Sequence, residues 1–518
     1  MKNKMNELYK IAGQIENPDV AALLKQILDS SELNDPWMDF YHLTMAQTLF
    51  LDGQQNSQAT FEMFIRRNPF KGAYTISSGL GPVLEWLNNY GFSDEFLGYL
   101  AGLKYENGQP KFTKEFLEFL RDQPLQVTIE AVPEGELIFP NEPIVRVTGP
   151  EWQVGIIETA ILNGINAASF IATKASRIKR AARGKPVMEF GLRRAQDRQG
   201  RMSTRAAATG GILVTSNVGA AKQYDLIAAG THAHSFVMGQ KTETEAFEKW
   251  LALNPNNATV LIDTYDIIQG IKNAISASQN TGVKLKKIRI DSGDLAFFSV
   301  EARKLLDAAN MADTKILVSN DLDEYIIESL LNEGAAIDEF GVGTSMVTGA
   351  DKPEDGKIYQ PALGGVYKLK VTNGRDCIKV ADEKTTIPGA TDTIRMLDSD
   401  GKFDGDVIVS MGFASEQSGV LKFPIVSINP KNRMAKTFDV GTKFYKPMTR
   451  VVTDGIVDIN AAQRDVKEIG KATDDNLAKL DDSHKRFLNA HIYVAGIEES
   501  LFQYRQQMID KVNTKTKE

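Results

Sequence analysis

Short apolar runs recur between residues about 185 and 365, each followed by a stretch with helical spacing of its apolar positions. The runs are VMEF (187–190), LIAAG (226–230), TVLID (259–263), KIRID (287–291), TKILVS (314–319) and IDEFGVG (337–343). Nearly continuous hydrophobicity over so few residues suits strands buried on both faces. Helices are predicted between them, over 265–275, 295–309 and 324–332. A strand followed by a helix, repeated, gives an α/β parallel sheet with covering helices. Outside this stretch the rhythm changes. Residues 60–76 and 125–147 read as short β-rich runs punctuated by Pro and Gly, a first domain with a small sheet or barrel-like layer. After Tyr367 short strands and turns return, and the chain ends in a charged helix from about 497; the first thirty residues read as a polar helix. The expected division is therefore 1–150, 151–365 and 366–518.

Within the repeated stretch, polar side chains gather at the carboxyl end of each predicted strand: Glu189 with Arg193, Thr231 with His234, Asp263 with Thr264, Asp291 with Ser292, Ser319 with Asn320, and Gly343 with Thr344. Loops converge at that end of barrels and open α/β sheets, and helix N-termini there offer unpaired N–H groups to anions.

Composition narrows the classes. A hydrophobic share of 42% and a charged share of 25% are those of an ordinary globular chain, and 518 residues are enough for two or three packed units. The net charge of -7 argues against a broad nucleic-acid surface, so an anionic ligand must be held locally. Cys377 is the only cysteine, which excludes an internal disulfide and a cysteine-built metal site. The opening MKNKMNELYK has no apolar core, and neither export nor membrane insertion is expected; a cytoplasmic location is.

The segment GTHAHS (230–235) sets His232 and His234 two apart, on one side of an extended strand end. A metal pair is one reading. It needs further ligands, and the remaining histidines, His42, His484 and His491, lie at no predicted strand end. A phosphoryl acceptor or a hydrogen-bonding orienter is the other reading, and it suits His234, beside Ser235 at the entry to a loop. EFGLRRAQ (189–196) offers paired guanidinium groups, including Arg193, that could grip a diphosphate or be solvated, and Phe190 could stack on a flat heterocycle or pack in the core. RIDSGDL (289–295) places Asp291 and Asp294 around a Ser-Gly turn with Gly293, either as a helix cap or as a cradle for ribose and hydrated magnesium. The Gly-spaced loop FGVGTS (340–345) is weak alone and gains force as the last of these groups.

Taken in order, DFYHLTMAQ (39–47), FEMFIRRNPF (61–70), FPNEPIVRV (139–147), EFGLRRAQ, VTSNVGAA (214–221), GTHAHSFVM (230–238), LIDTYD (261–266), RIDSGDL, VSNDLDE (318–324), FGVGTS and GGVYKL (364–369) resemble the nicotinate phosphoribosyltransferase family, a branch of the type II phosphoribosyltransferases. The resemblance spans most of the chain. It implies an irregular (β/α) barrel with an α/β sandwich domain built from N- and C-terminal segments, and an enzyme that joins nicotinate to 5-phosphoribosyl 1-diphosphate in NAD synthesis. It implies ATP as co-substrate, Mg2+ as cofactor and a homodimer with shared active sites. His234 would be phosphorylated by ATP, and Tyr41, from the neighbouring subunit, and Phe190 would sandwich the pyridine. Arg289, Thr231 and Ser235 would receive its carboxylate, Arg193 the diphosphate, Asp263 and Asp291 the ribose and magnesium, and Gly343 with Thr344 the 5-phosphate. The sister family that uses the amide carries an aspartate where this chain has Ser216; a carboxylate there would repel the acid, so nicotinate is favoured. His232 fills a position that the family leaves variable, and its protonation is expected to tune the His234 phosphoryl group. A nicotinamide-using enzyme and a catalytically silent regulatory homologue are the alternatives.

Overall fold

The computed structural model describes residues 37–196, 199–351, 362–381, 384–412, 424–425, 436–438 and 442–515, with residues 15 and 20; apart from those two, the expected first helix lies outside the described residues. The repeated stretch forms one parallel sheet of seven strands: β1 (Val187–Glu189), β2 (Val214–Thr215), β3 (Ile227–Ala228), β4 (Thr259–Leu261), β5 (Lys287–Ile290), β6 (Lys315–Val318) and β7 (Glu339–Val342). Their spatial order is β3-β2-β1-β7-β6-β5-β4. That is the cyclic order of a barrel, joined between β1 and β7 and left unpaired between β3 and β4. The fold is therefore α/β, with a curled parallel half-barrel sheet.

Alternation along these strands fixes which side chains reach the mouth. Val260, Ile262, Ile288, Ile290, Ile316 and Val318 are buried together against the covering helices. The register pairs Arg289 with Leu261 on one side and with Leu317 on the other. Two residues further along, on the same face, come Asp291, Asp263 and Ser319. β3 departs from the expectation of burial on both faces: it borders the open seam, and Ile227 is 62% exposed.

Helix starts follow their caps. Asp266 accepts from Gln269 N–H and starts the helix Ile267–Thr281, later than the expected 265. Asp294 caps Leu295–Ala308 by accepting from Phe297 N–H, so of the two acids in RIDSGDL this one is the cap. Glu324–Asn332 has the expected bounds.

A second seven-stranded sheet, antiparallel throughout, draws on both ends of the chain. Its order is Arg375–Asp376, Gly365–Thr372, Gln58–Ile65, Val145–Pro150, Thr128–Ala131, Thr449–Thr453, Ile456–Val457. A four-stranded sheet runs Phe444–Tyr445, Thr391–Leu397, Phe403–Ser410, Ala495–Ile497. The helix Glu158–Ala181 links these parts to the barrel. Its buried Lys174 and Arg177 both engage the buried carboxylate of Glu324, at 2.7 and 2.8 Å. That pairing offsets the desolvation of three charges and fixes the β6 end of the mouth to the rest of the molecule.

Candidate active site

Side chains from the ends of five strands, β1, β3, β4, β5 and β6, and from the loops that follow them meet at the carboxyl end of the sheet. Arg289 is the hub: Nε donates to Ser319 Oγ at 2.9 Å, Nη1 to Thr231 Oγ1 at 3.1 Å and Nη2 to Asp291 Oδ1 at 2.9 Å. Ser319 Oγ also donates to Asp291 Oδ1. The guanidinium lies 5.5 Å from the centre of the Phe190 ring. That ring occupies space that Gly341 leaves free, since a Cβ on Gly341 would fall 2.6 Å from Phe190. A cavity of 170 Å³ runs from Phe190 and Thr231, past Met188 and Leu317, to Asn257 and Lys287 at the amino ends of β4 and β5. Cavities of 370, 440 and 590 Å³ elsewhere touch none of these residues.

Asp263 Oδ2 accepts from Asp291 N–H at 3.0 Å and from Ser292 Oγ at 2.6 Å, which ties the β4 and β5 ends together. Its other oxygen, Oδ1, is buried and has no hydrogen-bond partner among the described residues. It faces His234 Nε2 at 3.9 Å, and Asp291 Oδ2 lies 4.0 Å from the same nitrogen. His234 Nδ1 shares a 3.1 Å hydrogen bond with Thr264 Oγ1. The imidazole is thus held by one nitrogen while the other looks into an acidic corner. His234 and Arg289 consequently share Asp291, and the predicted convergence of distant loops is present.

The two histidines of GTHAHS do not face one way. His234 opens the short helix His234–Met238 rather than a loop and is partly exposed, whereas His232 is 5% exposed. His232 Nε2 accepts from Leu261 N–H at 3.2 Å, and its ring packs against Phe236, Phe247 and Trp250. Burial, chiefly, pushes its pKa down to about 4. It is therefore neutral near pH 7, which corrects the expectation that its protonation tunes His234.

Other predicted residues sit around this centre without joining its hydrogen bonds. Gly293 follows Ser292 in the left-handed region at φ 77, where other residues are strained. Arg193 is exposed in the turn Leu192–Arg194, Ser235 is exposed on the turn after His234, and Ser216 follows β2, its N–H bonded to Glu189 O at 2.9 Å. Gly343 and Thr344 follow β7, next to Phe190. Tyr41 lies on the helix Phe40–Leu51, against His42 and near Asp39 and Glu158, none of which belongs to the mouth. Glu189 is structural: fully buried, it accepts from Gly191 N–H, Thr204 Oγ1 and Thr215 Oγ1. Thr264 and Ser319 were visible as strand-end hydroxyls, but their partners emerge only from the register.

The corner suits a hydrated divalent cation. Two carboxylates against one guanidinium leave excess negative charge, and the buried Asp263 Oδ1 is a hard oxygen donor lacking a partner. Among the described residues no group of three or more His, Cys, Asp or Glu is spaced to hold a metal by itself. Magnesium is commonly bound by one or two carboxylates together with substrate phosphates.

Three family models match in sequence order: nicotinate phosphoribosyltransferase N-terminal domain over residues 37–166, nicotinate phosphoribosyltransferase family over 186–396, and nicotinate phosphoribosyltransferase C-terminal domain over 391–505. The nicotinate phosphoribosyltransferase of Bacillus subtilis (strain 168) is 35% identical over 498 residues, covering 93% of this chain and 96% of that protein. The chain belongs to the nicotinate phosphoribosyltransferase family. It is an enzyme of this kind. The nicotinate phosphoribosyltransferase of Caenorhabditis elegans is 31% identical over 90% of this chain and 92% of that protein. The crystal structure of human nicotinic acid phosphoribosyltransferase superposes with a TM-score of 0.75 at 25% identity, covering 91% of this chain and 99% of that one.

Proposed function

We propose that the chain transfers phosphoribosyl from 5-phosphoribosyl 1-diphosphate to nicotinate, giving nicotinate mononucleotide and diphosphate, and couples the transfer to ATP hydrolysis through a phosphorylated His234, as a cytoplasmic step of NAD synthesis. The observation that carries this reading is the His234 Nε2 facing the unpartnered Asp263 Oδ1, one carboxylate away from Arg289. With its proton on Nδ1 toward Thr264, the imidazole presents a lone pair at Nε2. That nitrogen attacks the γ-phosphorus of ATP, the bond to the bridging oxygen breaks, and ADP leaves; water later takes the phosphoryl group. Asp263 stabilises the positive charge that develops on the ring.

At the sugar, the pyridine nitrogen forms a bond to the anomeric carbon as the carbon–oxygen bond to diphosphate breaks. Phe190 holds the ring flat, Arg289, Thr231, Ser216 and Ser235 receive the carboxylate, and Gly343 with Thr344 borders the 5-phosphate. Gly293 lets backbone approach the ribose. Arg193 neutralises the departing diphosphate; positioning and charge neutralisation carry the step. Mg2+, held by Asp263 and Asp291, would supply further neutralisation of the diphosphate.

A homodimer would bring Tyr41 of a second copy over Phe190. In support, Phe40, Tyr41, Met45 and Leu51 form an exposed apolar face on one helix, and Leu192, Val218, Met238, Tyr265 and Phe297 are exposed around the mouth. The test is incubation with the ribosyl donor and magnesium, with and without ATP, against nicotinate, nicotinamide and quinolinate, followed by mass detection of the mononucleotide. Nicotinate product that rises with ATP supports the proposal. Product from nicotinamide alone, or none at all, overturns it.

A further inference from the structure

The half-barrel has an open seam, and two side chains, His232 and Asn257, reach across it. Among the described residues β4 pairs with β5 on one side only, so the edge facing β3 presents backbone groups with no neighbouring strand there. Leu261 N–H is such a group, and its acceptor is His232 Nε2 at 3.2 Å. At the same seam Asn257 Nδ2 donates to Gly230 O at 3.1 Å. We propose that His232 is a positioning residue: by accepting from the β4 edge across the unpaired seam, it fixes the segment 230–235 relative to Asp263 and so sets the distance between His234 and its acidic corner.

The geometry is specific to a neutral imidazole. Accepting at Nε2 leaves the proton on Nδ1, 3.4 Å from Ala233 O. The ring is wedged among Phe236, Phe247 and Trp250, which belong to the next two helices. Thr231, next to it in sequence, accepts from Arg289, and His234, two residues on, faces Asp263, itself two residues beyond Leu261. One hydrogen bond thereby locates both halves of the site against one strand. A phosphoryl acceptor displaced by an ångström loses about a hundredfold in rate.

The phosphorylation arm rests on the proposed role of His234. His232→Leu keeps apolar bulk and removes the acceptor, whereas His232→Gln offers an amide oxygen at a similar reach. In the full-length enzyme, amide hydrogen exchange at Leu261 and the initial rate of phosphate transfer from labelled ATP to His234 are read side by side, with folding checked by melting temperature. Leu261 exchange is expected to speed up in His232→Leu, with labelling about a hundredfold slower, and both are expected to recover largely in His232→Gln. The proposal is overturned if Leu261 stays as protected in His232→Leu as in wild type, or if labelling is unchanged. A wild-type enzyme that never labels His234 refutes the phosphohistidine reading instead, and the exchange arm then decides on His232. If His232→Leu fails to fold, His232→Gln against His232→Asn, whose oxygen is too short to reach, decides in the same way.

Discussion

Asp263→Asn isolates the charge beside His234. Asparagine retains an oxygen for the Asp291 N–H and Ser292 O–H bonds and replaces the unpartnered Oδ1 with an amino group. Two charge-assisted bonds become neutral ones, a loss of about 1 kcal/mol each, offset by removal of a buried, incompletely paired anion. The melting temperature is therefore expected to move by only a few degrees. Phosphoryl transfer should suffer more. Opposite charges 3.9 Å apart attract by about 4 kcal/mol at an effective dielectric of about 20. Because the His234 side chain is 40% exposed, screening reduces this to about 2 kcal/mol, or roughly thirtyfold in the rate at which the cationic ring forms. Rapid-quench labelling with γ-labelled ATP, at several magnesium concentrations, measures it. A labelling rate within twofold of wild type, in a folded variant, would refute the electrostatic role. A deficit removed by excess magnesium would refute it too, leaving Asp263 as a metal ligand alone.

Three more outcomes are expected. Ser216→Asp should raise KM for nicotinate about tenfold through like-charge repulsion while sparing nicotinamide; equal effects on acid and amide would show that this position does not read the carboxylate. Arg289→Lys keeps a charge but cannot bond Ser319, Thr231 and Asp291 together, so kcat/KM for nicotinate should fall about a hundredfold, and a loss under threefold would contradict the hub. For acid stability, His232 titrates near 6.5 when unfolded and about 4 when folded, so its contribution is complete above pH 6.5 and lost as pH falls toward 4, by about 3 kcal/mol in all. Urea unfolding of wild type against His232→Gln should show that advantage shrinking over this window, and a constant difference would argue against a buried neutral imidazole.

The barrel was legible because its strands are short, apolar and bracketed by polar ends, and because Asp and Ser at those ends do what such residues do at strand-to-helix turns. Arg289, Asp291 and Asp263 follow from alternation once the register is known. What the chain's local pattern did not carry is long-range or shared. The pairing of Ile65 with Gly365 joins residues too far apart for any periodicity to connect. The open seam depends on β3 and β4 failing to pair, and with it goes the fate of His232, which looked like a partner of His234 and is instead an acceptor for a strand edge. Glu189 resembled a site acid until its three donors filled it.

The proposed ATP coupling stands on His234 as the phosphoryl acceptor at the mouth of the half-barrel. Labelling wild type and His234→Ala with γ-labelled ATP, followed by peptide mapping under alkaline conditions that preserve phosphohistidine, tests it most directly. Acid-labile label is expected only on the peptide containing residues 230–238 of wild type, with none in the variant, which should keep slow ATP-independent transfer. Equal acid-labile label in both proteins would contradict it.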